Sequence, residues 1–155
     1  SLQKICSAIY YGALQEVPSL QPAFRFVDTF VMPSANTRLI KFTAEPAGSP
    51  TTDHPKPDRL VRGNPLRETW NAVDTALPAG QVYCGVWRCE PGRWRIAMGD
   101  TERELFTVLQ GRCRVHDAQG GFEEAGPGEG LYIPPAFTGE FEVLEALTKT
   151  YMICE

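Results

Sequence analysis

The sequence lacks the features that define several common functional classes. It has only two histidines, and its five cysteines form no C-x-x-C pair, so the usual spacings of zinc ligands are missing. No apolar run is long enough to span a membrane, and no secretory signal peptide is evident. We therefore expect a cytoplasmic protein whose cysteines are reduced core residues, with no membrane partner. These cysteines are Cys6, Cys84, Cys89, Cys113 and Cys154.

Positive charge is also scarce. The formal net charge is −4, and residues 117–145 contain seven acidic residues but no lysine or arginine. Neither a helix-turn-helix pattern nor a basic face is present, which argues against nucleic acid as a partner.

Glycine and proline, by contrast, are frequent along the chain. Fourteen glycines and thirteen prolines in 155 residues favour short strands over long helices. From residue 81 onward, strand-like alternation is broken by turns every eight to twelve residues, which is typical of an antiparallel sandwich or barrel. We expect one domain over residues 32–155, and an extension over residues 1–31 with a weak helix pattern near its start. The predicted strands cover residues 24–32, 38–42, 82–89, 93–98, 104–109, 112–116, 140–144 and 148–154.

One carboxylate occupies an unusual position in this pattern. The stretch 104–109 is apolar on both faces apart from Glu104 and Thr107, and Gly111 is expected to end the strand. Regular pleating puts Glu104 on one face with Phe106 and Val108, among apolar groups. A buried carboxylate costs free energy unless it is paired or protonated. Glu104 is therefore either a general acid or base, or an anchor for an amide, amine or guanidine group, or half of an ion pair. Its candidate partners in such a pair are Lys149, Arg93 and Arg95.

The last predicted strand leaves its orientation open. Either Lys149 and Tyr151 point into the barrel, or Thr150 and Met152 do. Aromatic residues are also more numerous than the filling of a small barrel requires, which predicts an apolar pocket with a few polar anchors. The candidate pocket aromatics are Trp87, Trp94, Phe106, Tyr132, Phe137 and Tyr151.

The region around Glu104 resembles the first motif of the cupins, which are small jelly-roll barrels. That motif reads Gly, five residues, His-x-His, three or four residues, Glu, six residues, Gly. Here Gly92, Met98, Asp100, Glu104 and Gly111 fall on it in register, with both histidines replaced.

A second stretch resembles the other cupin motif, which reads Gly, five residues, Pro-x-Gly, two residues, His, three residues, Asn. Gly128 and Pro134 match it, while Ala136, Gly139 and Val143 replace the second Gly, the His and the Asn. The resemblance covers about residues 32–154 and implies an all-β cupin jelly roll.

The resemblance also bears on metal binding. In metal-binding cupins the three histidines and the glutamate hold the ion. This chain keeps Glu104, offers Asp100 as a second oxygen, and has Met98 and Gly139 at the other two places. Methionine is a poor ligand for hard divalent ions, so we predict no bound metal and no cofactor.

Within the superfamily, the chain is similar to a branch of small single-domain bacterial cupins that includes ureidoglycine aminohydrolases and ethanolamine-utilisation cupins. In that branch a Lys-x-Tyr near this place faces the pocket, which favours the inward orientation of Lys149 and Tyr151. The resemblance implies a homodimer that binds a small polar metabolite. The activity expected is metal-independent hydrolysis or isomerisation of a nitrogen-containing compound; the alternative is a binding or structural module without turnover. The predicted catalytic residues are Glu104 and Lys149, and the predicted substrate-binding residues are Trp87, Trp94, Met98, Asp100, Phe106, Tyr132, Phe137 and Tyr151.

Overall fold

The structure, a computed structural model, describes residues 38–155, and its elements are strands apart from one short 3₁₀ turn. The predicted all-β, antiparallel fold is confirmed, whereas the N-terminal helix, the strand over 24–32 and the domain boundary fall outside the described residues. Within 38–155, no helix has the length and hydropathy needed to cross a bilayer. The strands are β1 (Thr51–Asp53), β2 (Leu60–Arg62), β3 (Arg67–Leu77), β4 (Gly80–Cys89), β5 (Gly92–Ala97), β6 (Arg103–Asp117), β7 (Phe122–Ala125), β8 (Gly130–Ile133) and β9 (Thr138–Cys154), with one 3₁₀ turn at Pro57–Arg59.

Two long strands, β6 and β9, form the centre of the sheet. They pair antiparallel over almost their whole length, from Arg103 opposite Cys154 to Asp117 opposite Gly139. On its other side, β9 pairs first with β5 and then with β4, while β6 pairs first with β8 and then with β7. Because both strands contribute to both halves, the single curled sheet folds into two facing layers. One layer has the order β1-β3-β4-β9-β6-β8 and the other β2-β5-β9-β6-β7.

The bend in β6 corrects the expectation that Gly111 ends a strand. β6 continues through Gly111, which has φ +79°, and the register with β9 shifts beside it. A Cβ at this position would lie 2.2 Å from the carbonyl oxygen of Ala146, so the close approach of β9 requires glycine here. A positive-φ residue in a paired strand redirects the strand instead of terminating it, as in a β-bulge. The two short strands predicted in β9, over 140–144 and 148–154, likewise form one strand.

The strand predicted over 38–42 is wrong, because these residues are irregular. The neighbouring residues cover the outer face of β3 and β4. The Trp70 indole donates to the Gly48 carbonyl at 2.9 Å, and the Arg88 guanidinium donates to the Ala44 carbonyl at 2.6 Å. This cover leaves the outward-facing Val86 only 2% exposed. The run itself stays exposed at Leu39, Ile40 and Phe42, so its apolar residues neither pair as a strand nor enter the core.

The hydrophobic core lies between the two layers. Phe106, Val108, Val143 and Leu147 are almost completely buried, and each contributes about 1.5–3 kcal/mol by leaving water. Trp94 stacks on Phe141, its partner on the neighbouring strand β9, with ring centroids 5.4 Å apart. The alternation of inward-facing residues predicted for this region is therefore present in the structure. One end of the core is open.

Candidate functional site

A cavity of about 410 Å³ opens between the two layers above this core. Its walls are the aromatic rings of Trp87, Trp94 and Phe141, together with aliphatic groups from β5, β8 and β9. Its polar groups come mainly from β3, β6 and β9. We call it the barrel cavity. A pocket of this size with apolar walls and a few polar side chains is suited to a small molecule.

Glu104 and Lys149 form an ion pair at the cavity wall. The ammonium nitrogen of Lys149 donates to Oε1 of Glu104 at 2.6 Å, and the two side chains are only 6% and 13% exposed, Lys149 being the less exposed. Lys149 and Tyr151 both line the cavity, whereas Met152 faces outward. Of the three partners left open by the sequence, the structure selects Lys149. Arg93 and Arg95 lie on the opposite face of β5 from Trp94 and line an outer groove.

Three aromatic rings surround the ammonium group of Lys149. Its nitrogen lies 4.2 Å from the ring centre of Phe106, 4.8 Å from that of Trp87 and 4.9 Å from that of Phe141. Ring faces attract a cation, and the attraction strengthens when water is excluded. The rings and Glu104 together offset the free-energy cost of burying the Lys149 ammonium group. The same contacts fix the position of the Glu104 carboxylate.

The second oxygen of Glu104 is available to a ligand. Oε2 has no hydrogen-bond partner among residues 38–155, and no side-chain nitrogen or oxygen atom there is both buried and unpartnered. Oε2 is therefore reachable from the cavity that Glu104 lines. A carboxylate oxygen only accepts hydrogen bonds, so the atom it receives must be a donor.

Tyr151 extends the polar wall towards β3. Its hydroxyl donates to Oδ1 of Asn71, reaching across β4 at Gly85. A Cβ at Gly85 would lie 3.0 Å from that hydroxyl, so the glycine keeps the path open. Burial first, and then the negative charge of Glu104, raises the pKa of Tyr151 to about 12. The phenol is therefore a neutral donor at physiological pH.

This pKa predicts how stability depends on pH. The pKa of Tyr151 rises from 10.0 in the unfolded chain to about 12 in the folded protein. Its contribution to the free energy of unfolding is therefore complete below pH 10 and is lost as the pH approaches 12. Urea unfolding across this range should show a shallower loss of stability in Tyr151→Phe than in the wild type. Tyr132→Phe, which changes a tyrosine that is 56% exposed, serves as the control and should follow the wild type. Equal slopes for wild type and Tyr151→Phe would contradict the prediction.

One ion pair at the cavity was not predicted from the sequence. Arg67 at the start of β3 donates to Asp53 of β1 through Nε at 2.9 Å and also through Nη2, and its guanidinium lies 5.8 Å from the ring centre of Trp94. Thr69 and Asn71 line the same wall, two and four residues further along. That period of two was visible in the sequence. The pairing of β1 with β3, which brings Asp53 to Arg67, was not.

The structure brings most of the predicted site residues together. Trp87, Trp94, Met98, Glu104, Lys149 and Tyr151 line the cavity, and Phe106 lies against the Lys149 ammonium.

Three predicted residues lie elsewhere. Asp100 is in an exposed turn, and Tyr132 and Phe137 line a separate pocket of about 300 Å³. Tyr132 pairs with Leu105, and both side chains are about half exposed on the outer face. Strand alternation therefore gives the inward position to Ile133, the next residue.

The residues at the cupin metal positions do not fit a divalent ion. One oxygen of Glu104 binds the Lys149 ammonium, Asp100 lies in the exposed turn, and Gly139 offers no side chain. Among residues 38–155, no group of three or more His, Cys, Asp or Glu side chains is arranged to hold a metal ion. The absence of a bound metal in solution remains a prediction.

Similarity to known proteins is found for a segment that supplies most of the cavity lining. The family model described as the EutQ-like cupin domain matches residues 76–151. No curated protein matches the sequence.

Among solved structures, a Pseudomonas syringae protein of unknown function is similar with a TM-score of 0.62 at 17% identity, over 72% of this chain and 46% of that one. The EutQ protein of Clostridium difficile has a TM-score of 0.47 at 17% identity, over 58% of this chain and 63% of its own. This chain thus spans less than two thirds of either protein. The first similarity shows the shared fold alone. Residues 76–151 thus match the EutQ-like cupin domain, and the fold is shared with the Pseudomonas syringae protein.

Proposed function

We propose that the barrel cavity binds a small, polar, nitrogen-containing metabolite. The observation that carries the proposal is the free Oε2 of Glu104, an ionic acceptor held by Lys149 and open to the cavity. An amine, amide or guanidine N–H is the complementary group. A charge-assisted hydrogen bond of this kind is stronger than a neutral one, particularly in a site walled by aromatic rings.

The same geometry permits, but does not require, chemical turnover. In a metal-independent hydrolase or isomerase, Glu104 would exchange a proton with the bound molecule at Oε2, while Lys149 holds Oε1. The resemblance to ureidoglycine aminohydrolases favours a nitrogen-containing compound for such a reaction. In a binding module the hydrogen bond at Oε2 alone suffices. Both versions depend on the same contact, so binding is the property to test first.

Glu104→Gln is the decisive variant for binding. The Lys149 ammonium needs an acceptor, so the glutamine carbonyl should turn towards it and place the amide NH₂ where Oε2 lies. The atom that faces the ligand then changes from acceptor to donor while the shape is kept. Calorimetric titration with a panel of small amines, amides and guanidines should show binding to the wild type that weakens by about 10-fold to 100-fold in Glu104→Gln.

A matched control distinguishes this loss from a general effect of removing a charge. Glu123 is an exposed carboxylate on β7 outside the cavity. Glu123→Gln should bind the panel as the wild type does. Panel members that bind Glu104→Gln with unchanged affinity, or a panel with no binder at all, would count against the proposal.

A further inference from the structure

A groove of about 600 Å³ lies on the outside of the barrel, next to the mouth of the cavity. The groove and the cavity share Arg59, Ile96 and Ala97 in their linings, so they meet at this rim. Arg59 belongs to the 3₁₀ turn before β2, and Arg95 lies on the outward face of β5. We call the groove at these two arginines the rim groove.

Arg59 and Arg95 differ from the other arginines on this outer face. Arg62 pairs with Glu142 at 2.9 Å, Arg93 pairs with Glu140, and Arg114 pairs with Glu124. Neither Arg59 nor Arg95 makes an ion pair with a carboxylate among residues 38–155. Arg95 only approaches the backbone carbonyl of Asp58, at 3.5 Å.

The two carboxylates that line the groove, Glu140 and Asp117, contact other groups. Glu140 accepts a hydrogen bond from Arg93. Oδ1 of Asp117 accepts hydrogen bonds from the backbone N–H groups of Gln119 and Gly121, at 2.8 Å each. Neither carboxylate pairs with Arg59 or Arg95, so these two guanidinium groups have no ion-pair partner among the described residues.

Both arginines line the same groove. Arg95 reaches the backbone carbonyl of Asp58, the residue before Arg59, at 3.5 Å, and the two guanidinium groups share one lining. Two positive charges in one groove repel each other. An anion between them would convert this repulsion into two charge-assisted contacts, and guanidinium groups match oxyanions in geometry.

We infer that the rim groove binds an oxyanion, a carboxylate or a phosphate, through Arg59 and Arg95. This inference rests on the proposed function, because the oxyanion is assigned to the same molecule whose nitrogen group reaches Glu104. The ligand class then narrows to small molecules that carry an N–H donor at one end and an oxyanion at the other. The shared lining of groove and cavity gives such a molecule a continuous path.

Inorganic phosphate and acetate test the groove without the cavity. In NMR titrations that follow the arginine side-chain N–H signals of the full chain, both signals of the rim groove should shift saturably. Arg59→Gln and Arg95→Gln should each weaken this binding by about 10-fold or more. Arg103→Gln is the matched control, since Arg103 is exposed, has no carboxylate partner among the described residues and lies outside the groove. It should bind as the wild type does. The stronger of the two probes identifies which oxyanion the groove prefers.

Two further comparisons separate this inference from the proposed function. Glu104→Gln should leave phosphate and acetate binding intact, so a failure of the cavity would not hide the groove. Among panel compounds that bind the cavity, those with an oxyanion should bind the wild type about 10-fold more tightly than those without, and Arg59→Gln should remove this preference. Absence of saturable shifts at Arg59 and Arg95, or equal affinities in the wild type and both glutamine variants, would overturn the inference.

Discussion

Replacing Glu104 with methionine is expected to lower the free energy of unfolding by about 3–5 kcal/mol, the cost of breaking a buried ion pair on one side. The Lys149 side chain is 6% exposed, and Glu104 is its only hydrogen-bond partner among residues 38–155. The rings of Trp87, Phe106 and Phe141 offset part of the loss but accept no conventional hydrogen bond. Chemical denaturation monitored by tryptophan fluorescence measures the change.

The double variant Glu104→Met with Lys149→Met should recover most of this stability. Two apolar side chains of similar length suit a wall already made of aromatic rings, and an apolar replacement of a buried ion pair is often neutral. We expect the double variant to lie within about 1–2 kcal/mol of the wild type, which is a recovery of about 2–3 kcal/mol relative to Glu104→Met alone.

Glu104→Gln calibrates this cycle, because it keeps an acceptor for Lys149 and should cost only about 1–2 kcal/mol. A Glu104→Met variant as stable as the wild type would show that the pair does not form. The cycle thereby separates the structural contribution of Glu104, through Oε1, from its proposed contact with a ligand, through Oε2.

Gly111→Ala is the second substitution with a large expected effect, about 3 kcal/mol or more of lost stability. Alanine at φ +79° costs about 1–2 kcal/mol in backbone conformation. Its Cβ would also lie 2.2 Å from the Ala146 carbonyl oxygen, which belongs to the backbone of β9 and cannot rotate away. β6 and β9 must then separate at their shared bend, where the two layers of the barrel join.

Gly120→Ala is the matched control for the cost of placing alanine at a positive φ. Gly120 has φ +91°, but a Cβ there would meet nothing within 4 Å. The loss of stability in Gly120→Ala should therefore stay near the backbone-conformation cost of about 1–2 kcal/mol. Equal destabilisation by the two substitutions would mean that β6 and β9 do not approach closely at Gly111.

The sequence predicted the fold class because alternation and turn residues act locally. The inward positions of Phe106, Phe141 and Val143 follow from a period of two within single strands. The continuity of β6 through Gly111 could not be predicted in this way, since glycine also ends strands. Only the opposing backbone of β9 at Ala146 shows that this glycine bends the strand and does not stop it.

The same difference between local patterns and long-range contacts decides which parts of the candidate site could be predicted. Glu104 stood out because a carboxylate on an apolar strand face is costly, and Lys149 was one of three possible partners. The choice among them required the β6–β9 register, which brings Val108 opposite Lys149 and Glu104 opposite Ile153. The Arg67–Asp53 pair depends on a three-residue strand, and the rim groove depends on a 3₁₀ turn packed against β5. Short elements with long-range partners leave little signal in a sequence.

The most direct test of ligand binding at Glu104 uses the indole N–H signals of the three tryptophans in NMR spectra. Trp87 and Trp94 line the barrel cavity, whereas the Trp70 indole binds the Gly48 carbonyl on the outer face and serves as an internal reference. A small amine, amide or guanidine that binds the wild type should shift the Trp87 and Trp94 signals and leave Trp70 in place. In Glu104→Gln the same concentration should shift none of the three. Equal shifts of Trp87 and Trp94 in the wild type and in Glu104→Gln would contradict the account.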